Sequence, residues 1–121
     1  SECARALVGP DKWIGVSHHD IDETAAAVGQ GADYAFLGMI FPTASHPGGQ
    51  SLGIAALEEA VRCSKGMPIL GIGGIGADDA AAVVASGAYG VAAIRGIWDA
   101  PDPGASVRRY LEGVANRRGQ Q

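Results

Sequence analysis

The chain has 121 residues, 47 % of them apolar, which fits one folded domain and excludes a disordered segment. A formal net charge of −4 excludes a wide basic face for nucleic acid. No apolar run reaches the roughly 18 residues of a membrane span, no signal-peptide pattern opens the chain, and Cys3 and Cys63 lack the CxxC or Cys/His spacing of a zinc site. A soluble cytoplasmic protein with two buried free thiols is the expectation, with neither nucleic acid nor membrane as partner.

In chain order, Ser1-Glu2-Cys3-Ala4-Arg5-Ala6-Leu7 reads as the middle of a helix, and Ser1 stands where Met would begin, so a piece of something longer is expected. Four short apolar runs follow, at Trp13–Ser17, Tyr34–Gly38, Pro68–Gly73 and Gly90–Arg95. They scarcely alternate, as suits strands buried on both faces of a parallel sheet. Each precedes a helical stretch: Ile21–Gly29, Ile54–Ser64, Asp78–Ser86 and Pro103–Arg117. Asp20 and Gly76-Ala77-Asp78 supply helix starts, Gly29, Gly31, Gly66 and Gly87 supply stops, and Pro103 suits the first turn of the last helix. Arg108, Arg109, Arg117 and Arg118 fit the solvated face and end of that helix.

An internal repeat joins the two halves. Adding 56 moves Ile14-Gly15-Val16-Ser17 onto Leu70-Gly71-Ile72-Gly73, Asp22-Glu23 onto Asp78-Asp79, Ala26-Ala27-Val28 onto Ala82-Val83-Val84, and Gly31-Ala32 onto Gly87-Ala88. The pattern βαβαβαβα over a single domain at 1–121 predicts an α/β protein with four βα units, half of a (β/α)8 TIM-type barrel, which normally takes about 250 residues. A flavodoxin-like open sheet is the alternative. A half-barrel leaves strand edges open, so either a missing N-terminal half or a homo-oligomer is expected.

Two segments carry the clearest chemistry: Ile69-Leu70-Gly71-Ile72-Gly73-Gly74-Ile75 and Gly90-Val91-Ala92-Ala93-Ile94-Arg95-Gly96-Ile97. Each reads as a strand running into a glycine turn. Neighbouring strand ends of this kind, with a helix start nearby, bring backbone N–H groups to one point, as at phosphate sites of α/β proteins. Gly73 and Gly74 permit positive φ and close approach, and Arg95 adds a guanidinium suited to phosphate or, alternatively, to a salt bridge. The longest irregular segment, Met39 to Leu52, offers Thr43, Ser45 and His46, able to hold phosphate oxygens or to protonate a leaving group. It is equally readable as a polar surface loop. In Ser17-His18-His19-Asp20, adjacent imidazoles point to opposite sides and make no metal pair. One imidazole is expected at the helix cap and the other toward solvent or the site, Asp20 reads as the N-cap, and Ser17, at a strand end, is expected to face the pocket.

The blocks Gly15-Val16-Ser17-His18-His19, Gly31-Ala32-Asp33-Tyr34, Gly38-Met39-Ile40-Phe41-Pro42-Thr43-Ala44-Ser45, Ile72-Gly73-Gly74-Ile75 and Val91-Ala92-Ala93-Ile94-Arg95 together resemble the thiamine phosphate synthase and thiazole tautomerase superfamily. The resemblance covers nearly the whole chain and implies the second half of a (β/α)8 barrel. Synthase members join an aminopyrimidine diphosphate to a thiazole phosphate and release pyrophosphate with Mg2+. By resemblance, Ser17 touches the pyrimidine, Thr43 and Ser45 hold phosphate groups, and Gly73, Gly74, Ile94 and Arg95 cradle the thiazole phosphate. The chain departs from the synthases at His46, where they usually carry Lys, and at Arg95, where they usually carry Ser. His46 would then replace Lys as proton or charge donor, weakly at neutral pH. Tautomerases tend to carry a catalytic His at the position of Met39. The Mg2+ carboxylates of the synthases belong to the barrel's first half, so no metal ligand is expected here. A tautomerase-like isomerase and a non-catalytic phosphate-binding half-barrel are the alternatives to the synthase reading.

Overall fold

The computed structural model describes residues 2–42 and 51–119. Its elements are α1 (Glu2–Val8), β1 (Gly15–His18), α2 (Ile21–Gly29), β2 (Tyr34–Leu37), α3 (Gly53–Cys63), β3 (Ile69–Ile72), a 3-10 turn (Ala77–Asp79), α4 (Ala80–Ala85), β4 (Gly90–Ala92), α5 (Arg95–Trp98) and α6 (Pro103–Gly119). The strands form one parallel sheet in the order β1-β2-β3-β4. A flavodoxin-like sheet would reverse direction at a switch point. The sequential order instead matches an arc of barrel wall.

Local chemistry sets the element ends. The Asp20 carboxylate accepts the Glu23 N–H at 2.8 Å and caps α2 from an extended backbone. Gly76 caps the next turn, and its own N–H goes to Asp79 Oδ2 at 2.9 Å. Asp20 and Gly76 are 56 apart, as are Gly31 (φ +84°) and Gly87 (φ +102°), so the repeat recurs in backbone conformation. Asp102 accepts the Ala105 N–H at 3.1 Å and starts α6 at Pro103.

One sheet face is covered and the other is not. Ala35, Leu37 and Ile69 are fully buried against Leu57 and Ala60 of α3, Ala80 and Val83 of α4, and Tyr110 of α6. On the opposite face Gly15 and Ser17 are exposed, and Tyr34, Phe36, Leu70 and Ile72 are half-buried. The expectation of burial on both faces therefore holds for one face only, because nothing among the described residues packs on the other. The thiols differ too: Cys3 is exposed and Cys63 half-buried. Strand β4 stops at Ala92, short of the expected Arg95, and Arg95 instead opens α5. Arg108 and Arg109 are exposed, Arg109 pairing with Asp78, while the side chains of Arg117 and Arg118 lie outside the described set. No described helix is long and apolar enough to cross a membrane.

The edge where the strands begin is tied by one guanidinium. Arg5 donates to the carbonyls of Gly9 (3.1 Å), Lys12 (2.7 Å) and Gly31 (2.9 Å) and to Asp33 Oδ2 (2.8 Å). The same carboxylate accepts the Ile14 N–H at 2.7 Å. The fork thus joins α1, the entry to β1 and the turn before β2. The Ile14 N–H, and then Arg5, hold the Asp33 carboxyl below its ordinary range. A depressed value means stabilisation that is complete above the unfolded carboxylate value and is lost as pH falls through that value toward the lower folded one. Chemical denaturation between pH 7 and pH 3 is expected to show a steeper acid loss in wild type than in Asp33→Asn; equal slopes would refute this role.

Candidate functional site

All four strands end on the edge opposite Arg5, and the described candidate residues Ser17, Gly73, Gly74, Ile94 and Arg95 lie at or just past those strand ends. Ser17, on β1, is exposed on the open sheet face, beside Phe36 in the parallel register. Of the two histidines, His19 is exposed, and His18 is half-buried with a buried Nδ1 that has no hydrogen-bond partner among the described residues. Neither caps α2; the shorter Asp20 side chain reaches the Glu23 N–H and takes that place.

After β2 the chain runs on beside the end of β3. Ile40 N–H donates to the Ile72 carbonyl and Phe41 N–H to the Gly73 carbonyl, both at 3.0 Å. The returning chain closes on the same stretch, through Leu52 N–H to Met39 O and Gly53 N–H to Ile40 O, both 2.8 Å. Thr43, Ser45 and His46 lie outside the described residues. Their last described neighbour, Pro42, turns its carbonyl toward Gly74.

Gly73 and Gly74 adopt φ +97° and +68°, where a side chain is strained. A Cβ on Gly74 would stand 2.5 Å from the Phe41 oxygen and 2.6 Å from the Pro42 oxygen. Glycine is therefore required twice over at this position, by dihedral and by the close approach of another backbone. On the adjacent strand, Ile72 pairs with Ala92, so residues 73–74 and 93–95 leave neighbouring strand ends. Ile94 (68 % exposed) precedes α5, whose start has no side-chain cap. Its first N–H groups thus lack a side-chain acceptor. Arg95 is exposed and makes no ion pair among the described residues.

The fold thus brings Gly73, Gly74, Ile94 and Arg95 to adjacent strand ends and leaves Ser17 on β1, two strand spacings from β3, roughly 10 Å. Sequence reading missed α5, a four-residue helix too short for periodicity to reveal. It also missed two hydroxyls beneath the loops, Tyr110 Oη on the Ile75 carbonyl and Ser106 Oγ on the Gly96 carbonyl. The apolar spacing of Val107, Tyr110 and Val114 signals an inward helix face, but not those partners. Among the described residues no three His, Cys, Asp or Glu side chains come together to hold a metal ion.

A family model described as thiamine monophosphate synthase matches residues 1–97. Thiamine-phosphate synthase of Moorella thermoacetica is 44 % identical over 118 residues, 97 % of this chain and 56 % of that protein. The Bacillus velezensis protein of the same name is 40 % identical, over 94 % of this chain and 51 % of its own length. The chain therefore spans about half the length of these relatives. The solved thiamine phosphate pyrophosphorylase of Pyrococcus furiosus superposes with a TM-score of 0.83 at 30 % identity, over 96 % of this chain and 55 % of that one.

Gly74→Ala is expected to destabilise the chain by about 1–3 kcal/mol, through positive φ and the Phe41 and Pro42 carbonyls. Gly29→Ala, which meets no atom within 4 Å, is expected to be neutral or stabilising by about 0.5 kcal/mol. Urea denaturation of both variants checks the contrast, and equal effects would remove the special status of Gly74.

Proposed function

The chain belongs to the thiamine monophosphate synthase family, and on that footing we propose that it is the C-terminal half of a (β/α)8 barrel that joins an aminopyrimidine diphosphate to a thiazole phosphate and releases pyrophosphate. The observation that carries this reading is the pairing of the Gly73-Gly74 loop with the uncapped start of α5 at adjacent strand ends. Barrel enzymes often hold phosphate at the loops after the last two strands, with the N-terminus of a short extra helix. Here the short helix is α5. The backbone N–H groups of Gly73, Gly74, Ile94 and Arg95 take the thiazole phosphate, and the unpaired Arg95 guanidinium adds a fixed positive charge.

The remaining roles follow the same layout. Ser17 contacts the pyrimidine from the β1 end. Thr43 and Ser45 hold the diphosphate, and His46 donates a proton or charge to it. The thiazole nitrogen forms a bond to the methylene carbon as the bond from that carbon to the diphosphate oxygen breaks. Electron density from the aminopyrimidine stabilises the carbon during departure, so the protein supplies no nucleophile. Its task is to neutralise charge building on the leaving pyrophosphate, for which fixed donors are effective. A thioether at Met39 has no proton to exchange, which disfavours the isomerase alternative.

Mg2+ belongs to this chemistry by family, but the described residues contain no ligand set that fits it. We place its ligands, with the other four strands, in polypeptide that has no counterpart in this chain. The exposed large apolar residues support such a partner surface. Leu7, Val8 and Trp13 precede the first strand, Tyr89 immediately precedes the last, and Ile94, Trp98 and Leu111 follow it. These are the two open ends of the sheet, where further strands or a second copy would dock.

Calorimetric titration with a thiazole phosphate is expected to show saturable binding, weakened at least about tenfold, or about 1.4 kcal/mol, by Gly74→Asp. Equal binding by that variant would refute the assigned cradle. The 121-residue chain alone is expected to show no synthase turnover, and measurable turnover would overturn the half-site reading.

A further inference from the structure

Helix α6 reaches both loops of the cradle from behind. Tyr110, 5 % exposed, donates its hydroxyl to the Ile75 carbonyl at 2.5 Å. Ser106, 8 % exposed, donates to the Gly96 carbonyl at 2.6 Å. Four residues apart, the two side chains lie on one face of the helix. A Cβ on Gly96 would collide with the Tyr110 hydroxyl, so the phenol sits against the second loop while it bonds to the first. Burial, and then the Asp79 charge, raises the phenol above its ordinary pKa and keeps it a donor.

Each loop thereby has one peptide group held at both ends. In the first, the Ile75 carbonyl is taken by Tyr110 and the following N–H, of Gly76, by Asp79. In the second, the Gly96 carbonyl is taken by Ser106 and the following N–H, of Ile97, by the Ile94 carbonyl. Among the described residues no hydrogen bond runs directly between residues 73–76 and 93–98. The β3–β4 pairing sets them side by side, and beyond the strand ends their relative position is referred to α6. A peptide plane held on the helix side narrows the orientations open to the N–H groups just before it, at Gly74 and Ile75 in one loop and at Arg95 and Gly96 in the other.

We propose that Ser106 and Tyr110 are positioning residues, a two-point splint that sets the spacing of two groups of N–H donors around a single phosphate. Neither touches the ligand. The inference rests on the phosphate reading of these loops given above.

The test is an amide-resolved NMR titration of the chain with inorganic phosphate, alongside amide hydrogen exchange without ligand. In wild type, Gly74 and Arg95 should shift together with one dissociation constant. Tyr110→Phe keeps the ring and removes the donor; with Ser106→Ala it should weaken phosphate binding about five- to tenfold each, the scale of one lost hydrogen bond. Val114→Ala, which thins α6 packing away from both loops, should lower the melting temperature and leave the phosphate affinity unchanged. Exchange should show the splint without ligand: Tyr110→Phe should speed exchange at Ile97, in the other loop, and Ser106→Ala at Gly76. Wild-type affinity in both hydroxyl variants, or equal weakening by Val114→Ala, would overturn the proposal. So would exchange that changes only in the loop directly bonded to the altered residue. If wild type shows no phosphate-dependent shift, the phosphate reading fails, and the cross-loop exchange alone then decides whether α6 couples the loops.

Discussion

Parallel strands cannot be joined by tight turns, so every strand must be followed by a crossover that carries the chain back to the starting edge. In this protein each crossover returns beside the strand before it, giving the order β1-β2-β3-β4. All four C-terminal ends therefore open on one edge, and every loop able to meet a ligand is delivered to the same side. The helices covering the other face of the sheet are a consequence of the same constraint, because each crossover must bury its apolar side on the strands it joins. The candidate cradle depends on this ordering more than on any side chain. Gly73-Gly74 and Ile94-Arg95 are neighbours because β3 and β4 are.

The two edges of the sheet carry different physics. At the starting edge a single guanidinium satisfies three carbonyls and a carboxylate, and Asp33 binds both Arg5 and the Ile14 N–H. Such a staple holds element ends in register. At the finishing edge the start of α5 has no side-chain cap, and Arg95 beside it is exposed and makes no ion pair among the described residues. Ser106 and Tyr110 on α6 bond to these loops from behind. The half-open sheet face and the exposed apolar residues belong to the same picture, an arc of parallel barrel wall with one face covered by helices.

The sequence announced most of the architecture, and the reasons are local. Helix α2 is legible near Ile21–Gly29 because Asp20 caps it and Gly31 stands just past its end. Glycines at 31 and 87 marked turns because their positive φ excludes most other residues. The failures have a common cause. Strand β4 ends at Ala92, and the four-residue α5 replaces its expected last turn. That helix has no cap and no length; its Gly96 carbonyl is held by Ser106 from another element. Cys3 was expected to be buried for its apolar character, yet exposure depends on what packs over it. His18 shows the same limit, since no pattern in Ser17-His18-His19-Asp20 tells which ring nitrogen is shut from water without a partner.

What the sequence determined by itself is whatever depends on neighbours along the chain: the alternation of strand and helix, the capped starts, the glycine stops, the 56-residue repeat and the blocks that mark the family. These rest on dihedral preference, periodicity and short-range hydrogen bonding. Only the tertiary structure decided the strand order, the open face, the adjacency of the two glycine loops and the hydroxyls of α6 that hold them. Those features join residues far apart in the chain, as Tyr110 joins Ile75. A contact of that kind forms only after the sheet has set the distance between its partners.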